Sequence, residues 1–377
     1  MNKIYLDYAA TSPLAEEVNR AMYEFGKTDT GNPSSPHRFG QQAKIILEET
    51  RDLIAAELNC KPKEVLFTSG GTESNNLALI GTLKGIESGR KHIIISAVEH
   101  PSVIETVHYL EQIGYEISFL YPQSDGSLST HNFRELIRPD TIFASIMYVN
   151  NETGIIFNIP EFAAICRDYS IHLHCDAVQA FGKIPIDFSQ THVDLLSISA
   201  HKIHGPKGIG ALIVKEGVLL ENMHFGGGQE ANRRPGTENL TGIVGFAGAV
   251  KLIEHKKNKK RDIEKLHNYF ESHIKSVISP AVIIGENVNR SPYISAIAFP
   301  GVDNENMLLN LDLAGIAVSV GSACSSGSIN QSHVLKAMSL PDEIINSTLR
   351  FSYGRYTIQD ELDQTIDTIR QIYKRLN

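Results

Sequence analysis

Tryptophan is absent, cysteine is scarce at four residues in 377, and no two of the four stand in a CxxC spacing. That excludes a disulfide-stapled scaffold and a cysteine-rich metal site, so a cysteine that matters chemically acts singly, as a thiolate. No run of about 18 apolar residues occurs, so no membrane-spanning helix is expected. The opening stretch MNKIYLDYAATSP has no long apolar run after Lys3; neither a secretory signal nor an anchor is expected, and a cytoplasmic location is. Positive charge is also short: 35 Lys and Arg stand against 43 Asp and Glu, a formal net charge of −8 that repels a phosphate backbone and argues against direct nucleic-acid binding. Internal repeats and low-complexity segments are missing too.

What is present is ordinary globular usage, 42% hydrophobic and 21% charged, in a chain long enough for a large core. Short β-rich runs recur at 65–67, 92–96, 116–121, 141–149, 172–177, 194–200 and 211–214, alternating with helix-like segments. The runs are nearly continuous in apolar residues, which predicts an α/β fold with a mainly parallel central sheet covered by helices. Beyond a Gly-rich, charged loop at 225–237, the spacing of Ile253, Ile263, Leu266 and Phe270 predicts one long helix over 240–275. Its other face carries Lys256, Lys257, Lys259, Lys260 and Arg261 and reads as solvated, with an acidic docking partner as the rival. Strand-like 281–285, 293–299 and 316–322, helical stretches near 304–313 and 342–349, and an amphipathic helix from about 358 suggest a smaller α+β domain.

Polar clusters follow the strand-like runs directly, and in open sheets ligands collect at the carboxyl ends of strands. Ser69-Gly70-Gly71-Thr72-Glu73-Ser74-Asn75-Asn76 reads as a phosphate cradle, or as a plain Gly turn with a Thr cap. Lys202, between His201 and the stiff Gly205-Pro206 turn, has the setting of a Schiff-base lysine, although a surface lysine fits as well; Ser199 and His201 stand where they can bind a phosphate beside it. Asp176 at a strand end needs a cation, such as a protonated pyridine nitrogen. Its rival is a metal site from His172, His174, Cys175 and Asp176, but strand alternation puts Cys175 on the opposite face, so that site lacks ligands. Cys324 sits in the small-residue stretch Gly321 to Ser328, as a movable nucleophile would. Cys60, Cys166 and Cys175 read as structural. Arg350 alternates with apolar residues, suited equally to a substrate carboxylate or a structural salt bridge.

Together these signals describe pyridoxal 5′-phosphate (PLP) chemistry. The chain resembles the PLP-dependent cysteine desulfurases of the NifS/IscS type, within the class V aminotransferases, from Tyr5-Leu6-Asp7-Tyr8-Ala9-Ala10-Thr11 to Arg350-Phe351-Ser352. Matching motifs are Gly31 to Ser35, Thr68 to Asn75, Val149 to Glu152, His174 to Gln179, His201 to Gly210, Arg234 to Thr237 and Gly321 to Ser328. The resemblance implies PLP fold type I and a homodimer with its active site near the subunit interface. It implies a large PLP-binding domain over 14–255 and a small domain from 1–13 and 256–377 that carries the cysteine loop.

Carried over by motif position, Lys202 would bind the cofactor covalently, Asp176 would pair with the pyridinium nitrogen, Gln179 would contact the ring hydroxyl and His100 would stack on the ring and act in catalysis. Gly71, Thr72, Ser199 and His201 would hold the phosphate, with Thr237 supplied by the partner subunit. Asn32, Asn151 and Arg350 would orient L-cysteine, Asn151 also touching the cofactor, and Cys324 would take the sulfur as a persulfide. No metal is implied. A scaffold or tRNA-thiolation enzyme would then receive the sulfur, for iron–sulfur cluster assembly or thiolation. The Gly-Ser-Ala-Cys form around Cys324 matches the group with the longer catalytic loop, not the Arg-x-Gly-His-x-Cys form of the SufS-like group. Asn232 to Thr237 is a Pro variant of a loop that often reads Arg-Ser-Gly-Thr. Selenocysteine lyase and class V aminotransferase are the alternatives in the same fold, and a non-catalytic sulfur-assembly adaptor is the alternative outside enzymology.

Overall fold

The computed structural model describes residues 3–28, 31–86, 89–254, 259–321 and 331–377. Strands form where the apolar runs lie: β1 (Ile4–Tyr5), β2 (Val65–Thr68), β3 (His92–Ser96), β4 (Glu116–Leu120), β5 (Thr141–Ser145), β6 (His172–Asp176), β7 (Leu195–Ser199), β8 (Gly210–Val214), β9 (Val282–Ile283), β10 (Ile294–Ala298), β11 (Ile316–Ala317) and β12 (Thr348–Ser352). Seven of them make the central sheet, ordered β2-β8-β7-β6-β5-β3-β4. Only β8 runs against its neighbours. The carboxyl ends of β2 to β7 therefore share one edge, and the polar clusters that follow them are brought to it.

Apart from the edge strand β4, which is only half-buried, the sheet is buried on both faces, as its nearly unbroken apolar runs require. Polar residues inside it are paired across strands: the His174 ring lies between the Ser145 and Ser197 hydroxyls, at 2.8 and 2.9 Å, and burial pushes its pKa down to about 3, so it is neutral. On one face pack helices Glu16–Gly26, Arg38–Leu58 and Leu240–Glu254.

The long helix predicted over 240–275 is two helices. Leu240–Glu254 buries Leu240, Ile243, Phe246, Ala249 and Val250 in the large core, whereas Lys259–Val277 buries Ile263, Phe270 and Ile274 in a second core. Ile253 and Ile263 thus serve different cores, and a common stripe does not exist. The first helix is apolar nearly all round because it is covered on several sides; Gly245 lets it approach Met22 and Pro206, whose atoms would stand 2.6 and 2.7 Å from an added Cβ. Of the basic face, Lys256 and Lys257 lie outside the described residues.

The second core gathers β1, β11 and the three-stranded sheet β12-β10-β9 under helices Lys259–Val277, Asn304–Leu313 and Gln359–Leu376. Two boundaries differ from the reading by pattern. The helix near 342–349 ends at Ile345, because the Ser347 and Thr348 hydroxyls turn back onto the carbonyls of Glu343 and Ile344 at 2.6 Å each, and Thr348 opens β12. Among the described residues of the 316–322 run, Ile316–Ala317 pairs as a strand parallel to β1, and Ser319 makes an isolated bridge to Arg350.

Gly210 is the tightest joint between sheet and site edge. A Cβ there would meet the Ile198 carbonyl oxygen at 2.6 Å and the Gly70 Cα at 2.8 Å, both backbone, which cannot give way cheaply. Gly210→Ala is expected to cost about 2 kcal/mol or more, read as a lower denaturant midpoint at unchanged slope. A midpoint equal to wild type would contradict this packing.

Candidate active site

The cluster-bearing edge encloses a cavity of about 170 Å3 between the two cores. Its wall contains Gly71, Thr72, His100, Asn151, Asp176, Gln179, His201, Lys202 and Arg350, together with Ala9, Ala10, Asn75, Ser102, Met147 and Val178. Nine residues singled out from the sequence are thus brought together from five strand ends and from β12.

Asp176 ends β6 and is 4% exposed. One carboxylate oxygen accepts the Asn75 amide at 2.7 Å and the other the Val178 N–H at 2.9 Å, both neutral donors. His174 is turned to two serines and Asp176 to Asn75, so the alternative of a metal held by His172, His174, Cys175 and Asp176 has no common centre; among the described residues no group of three or more metal-ligating side chains forms.

Lys202 closes the short 3-10 turn Ala200–Lys202 after β7, and its Nζ donates to the carbonyls of Ala9 and Ala10 at 2.6 and 2.7 Å. The N-terminal segment is stitched to the same turn, with the Ser12 N–H and hydroxyl both donating to the His201 carbonyl. Gln179 adds a third strap, its amide donating to Ala9 O at 2.8 Å. Burial, aided by the charges of Lys202, Lys183 and Lys207, pushes His201 down to about 3, so its ring is neutral beside the lysine.

On the anion side, Gly70 has φ +150° and opens the helical run at Gly71. The Ser199 hydroxyl is buried and without a partner, 3.9 Å from where a Gly70 Cβ would stand. A buried, unpaired hydroxyl beside a glycine turn is what a phosphate oxygen would satisfy. Glu73 ties this turn to the Gly-rich loop: it accepts the Ser69 N–H at 2.7 Å and the Arg234 guanidinium at 2.8 Å.

Arg350 makes the structural salt bridge that was one of the two roles its pattern left open. One nitrogen donates to Asp7 at 2.8 Å and another to Asn151 O at 3.0 Å, while its Nε is buried and unpaired. Asn32 and Thr237 are exposed and do not line this cavity; the Asn32 side chain caps its own turn by accepting the Ser34 N–H. Cys324 lies outside the described residues.

His100 caps the helix Pro101–Gln112, its Nδ1 accepting the Ser102 N–H at 3.1 Å. Burial lowers its pKa, the charges of Lys202 and His333 act in the same direction, and Asp176 opposes them. The preceding Glu99 is fully buried; one oxygen accepts from the Ser96 hydroxyl and the Met147 N–H, and the other has no partner. Pattern reading placed Asn75 in the phosphate cradle without a role of its own, and gave none to Ser102 or to the Ala9 and Ala10 carbonyls. Pro101 could have flagged Ser102, since Pro at the first helical position places His100 at the cap and Ser102 one turn-position inside. Backbone carbonyls leave no such mark.

Comparison with known proteins decides the family. Residues 4–365 match the family model described as Aminotransferase class-V. A relative named "Cysteine desulfurase IscS" from Dictyoglomus turgidum is 44% identical over 376 residues, covering 99% of this chain and 95% of the relative. The chain belongs to the class-V aminotransferases, in their NifS/IscS cysteine desulfurase branch. A solved structure described as a NifS-like protein superposes on this member of the branch with TM-score 0.93 at 32% identity, covering 100% of both chains. Another, "SspA in complex with cysteine", does so at TM-score 0.83 and 32% identity, over 95% of this chain and 100% of that one. The fold is PLP fold type I, as the mainly parallel seven-stranded sheet and its helical layers also have it.

Glu99 gives the branch member a pH signature. Burial, with the Asp176 charge adding to it, pushes the Glu99 carboxyl up to about 8, against the hydrogen bonds from Ser96 and Met147. At low pH the acid is protonated in both folded and unfolded chains; as pH rises toward about 8 only the unfolded chain releases the proton readily, so stability falls across that window and levels off above it. Glu99→Gln, isosteric with the neutral acid, should match wild type near pH 5 and melt higher above pH 8. Parallel melting curves across that range would contradict a raised Glu99.

Proposed function

We infer that this protein is a cysteine desulfurase that converts L-cysteine to L-alanine and takes the sulfur onto Cys324 as a persulfide. The observation that carries the reading is the convergence, on one cavity between the cores, of an amine, a buried carboxylate, a capped imidazole and a guanidinium: Lys202, Asp176, His100 and Arg350. PLP fits this donor set. The charge of Asp176, now met only by neutral donors, suits a protonated ring nitrogen, and the unpaired Ser199 hydroxyl suits a phosphate oxygen. Lys202 would hold the cofactor's aldehyde carbon, Gln179 its ring hydroxyl, His100 its ring face, and Gly71, Thr72, Ser199 and His201 its phosphate. Thr237, exposed here on the Gly-rich loop, would reach the phosphate site of a second copy in a homodimer; Phe225 on the same loop, 90% exposed, supports a surface that another copy covers.

Bound PLP supplies an electron sink for negative charge at the substrate Cα. Asn151 and Arg350 orient the amino acid, with the unpaired Arg350 Nε left to donate to its carboxylate. Lys202 Nζ takes the Cα proton and holds it for return. Neutral His100 and His201 leave the lysine without a permanent imidazolium neighbour to compete for the carboxylates. The Cys324 thiolate bonds to the substrate sulfur as the Cβ–S bond breaks. The pair of that bond stays on carbon, which gains a proton and becomes the alanine methyl, and the sulfur leaves in the oxidised, sulfane form. A cytoplasmic scaffold or tRNA-thiolation enzyme then receives it; no described helix is long and apolar enough to cross a membrane.

Purified protein loaded with PLP should be yellow, Lys202→Ala should lose the colour, and Cys324→Ser should keep the colour while sulfide release from cysteine falls by about 100-fold or more. Undiminished release from Cys324→Ser would overturn the acceptor assignment and favour a selenocysteine lyase. Alanine formation without consumption of a keto acid separates desulfuration from transamination.

A further inference from the structure

We propose that Asn75 and Ser102 are positioning residues that lock the His100 ring in its Nε2–H form and tie it to the Asp176 carboxylate as one hydrogen-bonded unit. The directions of the bonds follow from the groups themselves. Asp176 Oδ2 can only accept, so the Asn75 atom 2.7 Å away is the amide nitrogen. The same nitrogen stands 2.8 Å from Ser102 Oγ and gives it the second amide hydrogen. With Oγ already accepting, its own hydrogen is available to His100 Nδ1 at 2.8 Å. A backbone N–H can only donate, and the Ser102 N–H also points at Nδ1, at 3.1 Å. Nδ1 therefore faces two donors and stays bare, which leaves the proton of the neutral ring on Nε2.

The arrangement carries a cost that a merely structural network would avoid. Asn75 is 1% exposed and its Oδ1 is buried without a partner, because turning the amide to satisfy it would set a carbonyl oxygen against the Asp176 carboxylate. The groups whose charges act on His100 are Asp176 at the end of β6, Lys202 after β7 and His333 on the helix His333–Ala337. Ser102 and Asn75 come between His100 and the first of these. Protonating Nδ1 would break the bond from the Ser102 N–H and force the Ser102 hydroxyl to turn from donor to acceptor, so geometry as well as burial favours the neutral ring.

The activity arm of the test rests on the desulfurase reading; the spectroscopic arm does not. In protein labelled with 15N-histidine and freed of cofactor, with His100 assigned by comparison with His100→Gln, the neutral ring should show a pyridine-type Nδ1 and a pyrrole-type Nε2. Ser102→Ala keeps the backbone donor and removes the hydroxyl, and should let His100 bind a proton about two- to tenfold more tightly. Ser102→Thr, which keeps a hydroxyl, should restore the wild-type titration, and Asn75→Ala should shift it in the same direction as Ser102→Ala. In holoenzyme the acid limb of kcat should move upward with Ser102→Ala by the same factor. An Nδ1–H form in the wild-type protein, or a His100 titration in Ser102→Ala equal to that of wild type, would overturn the proposal. Absence of sulfide release with the titration shift present would refute the desulfurase reading and leave the proposal standing.

Discussion

A carboxylate held out of water at the end of a central strand is the constraint from which the rest of the site follows. Asp176 is 4% exposed and is met by an amide and a backbone N–H, neither of which cancels its charge. Leaving such a charge uncompensated is costly, and a buried carboxyl with no other purpose would be replaced by a neutral side chain at little structural loss. The position makes sense when a cation enters the cavity, whose wall also carries Gly71, Lys202, His100 and the neutral His201. Glu99, a second acid in the same region, is driven toward its neutral form by burial and in part by the Asp176 charge.

The same cavity is where the two cores meet, and the chain's first residues do the joining. β1 pairs with β11 in the small sheet, Asp7 pairs with Arg350 of β12, Ala9 and Ala10 receive Lys202, and Ser12 grips the His201 carbonyl. A segment with few side chains of chemical interest thereby fixes both the amine and the guanidinium. Arg350 is consequently held by a structural ion pair, with one nitrogen left unpaired.

Much of this was legible in the residues. Parallel β runs announce themselves by unbroken apolar stretches, and the rule that ligands collect at strand carboxyl ends joins the separate clusters into one site. What pattern could not supply was partition: Ile253 and Ile263 lie at helical spacing, yet they point into different cores, because periodicity describes a surface stripe and says nothing of what covers it. The stop after Ile345 depended on two hydroxyls folding back on carbonyls, a local competition that composition does not encode. Asn75 and Ser102 were inconspicuous because their importance lies in whom they bond; the Ala9 and Ala10 carbonyls carry no side-chain signal at all.

The central claim is that the amine at position 202, and no other, carries the cofactor opposite the Asp176 carboxylate. Borohydride reduction of the PLP-loaded protein fixes such a link permanently, and peptide mass spectrometry then locates it. A phosphopyridoxyl group is expected on Lys202 at near one per chain, with Lys183 and Lys207 unmodified. Label on either of those lysines in place of Lys202, or none after loading, would contradict it.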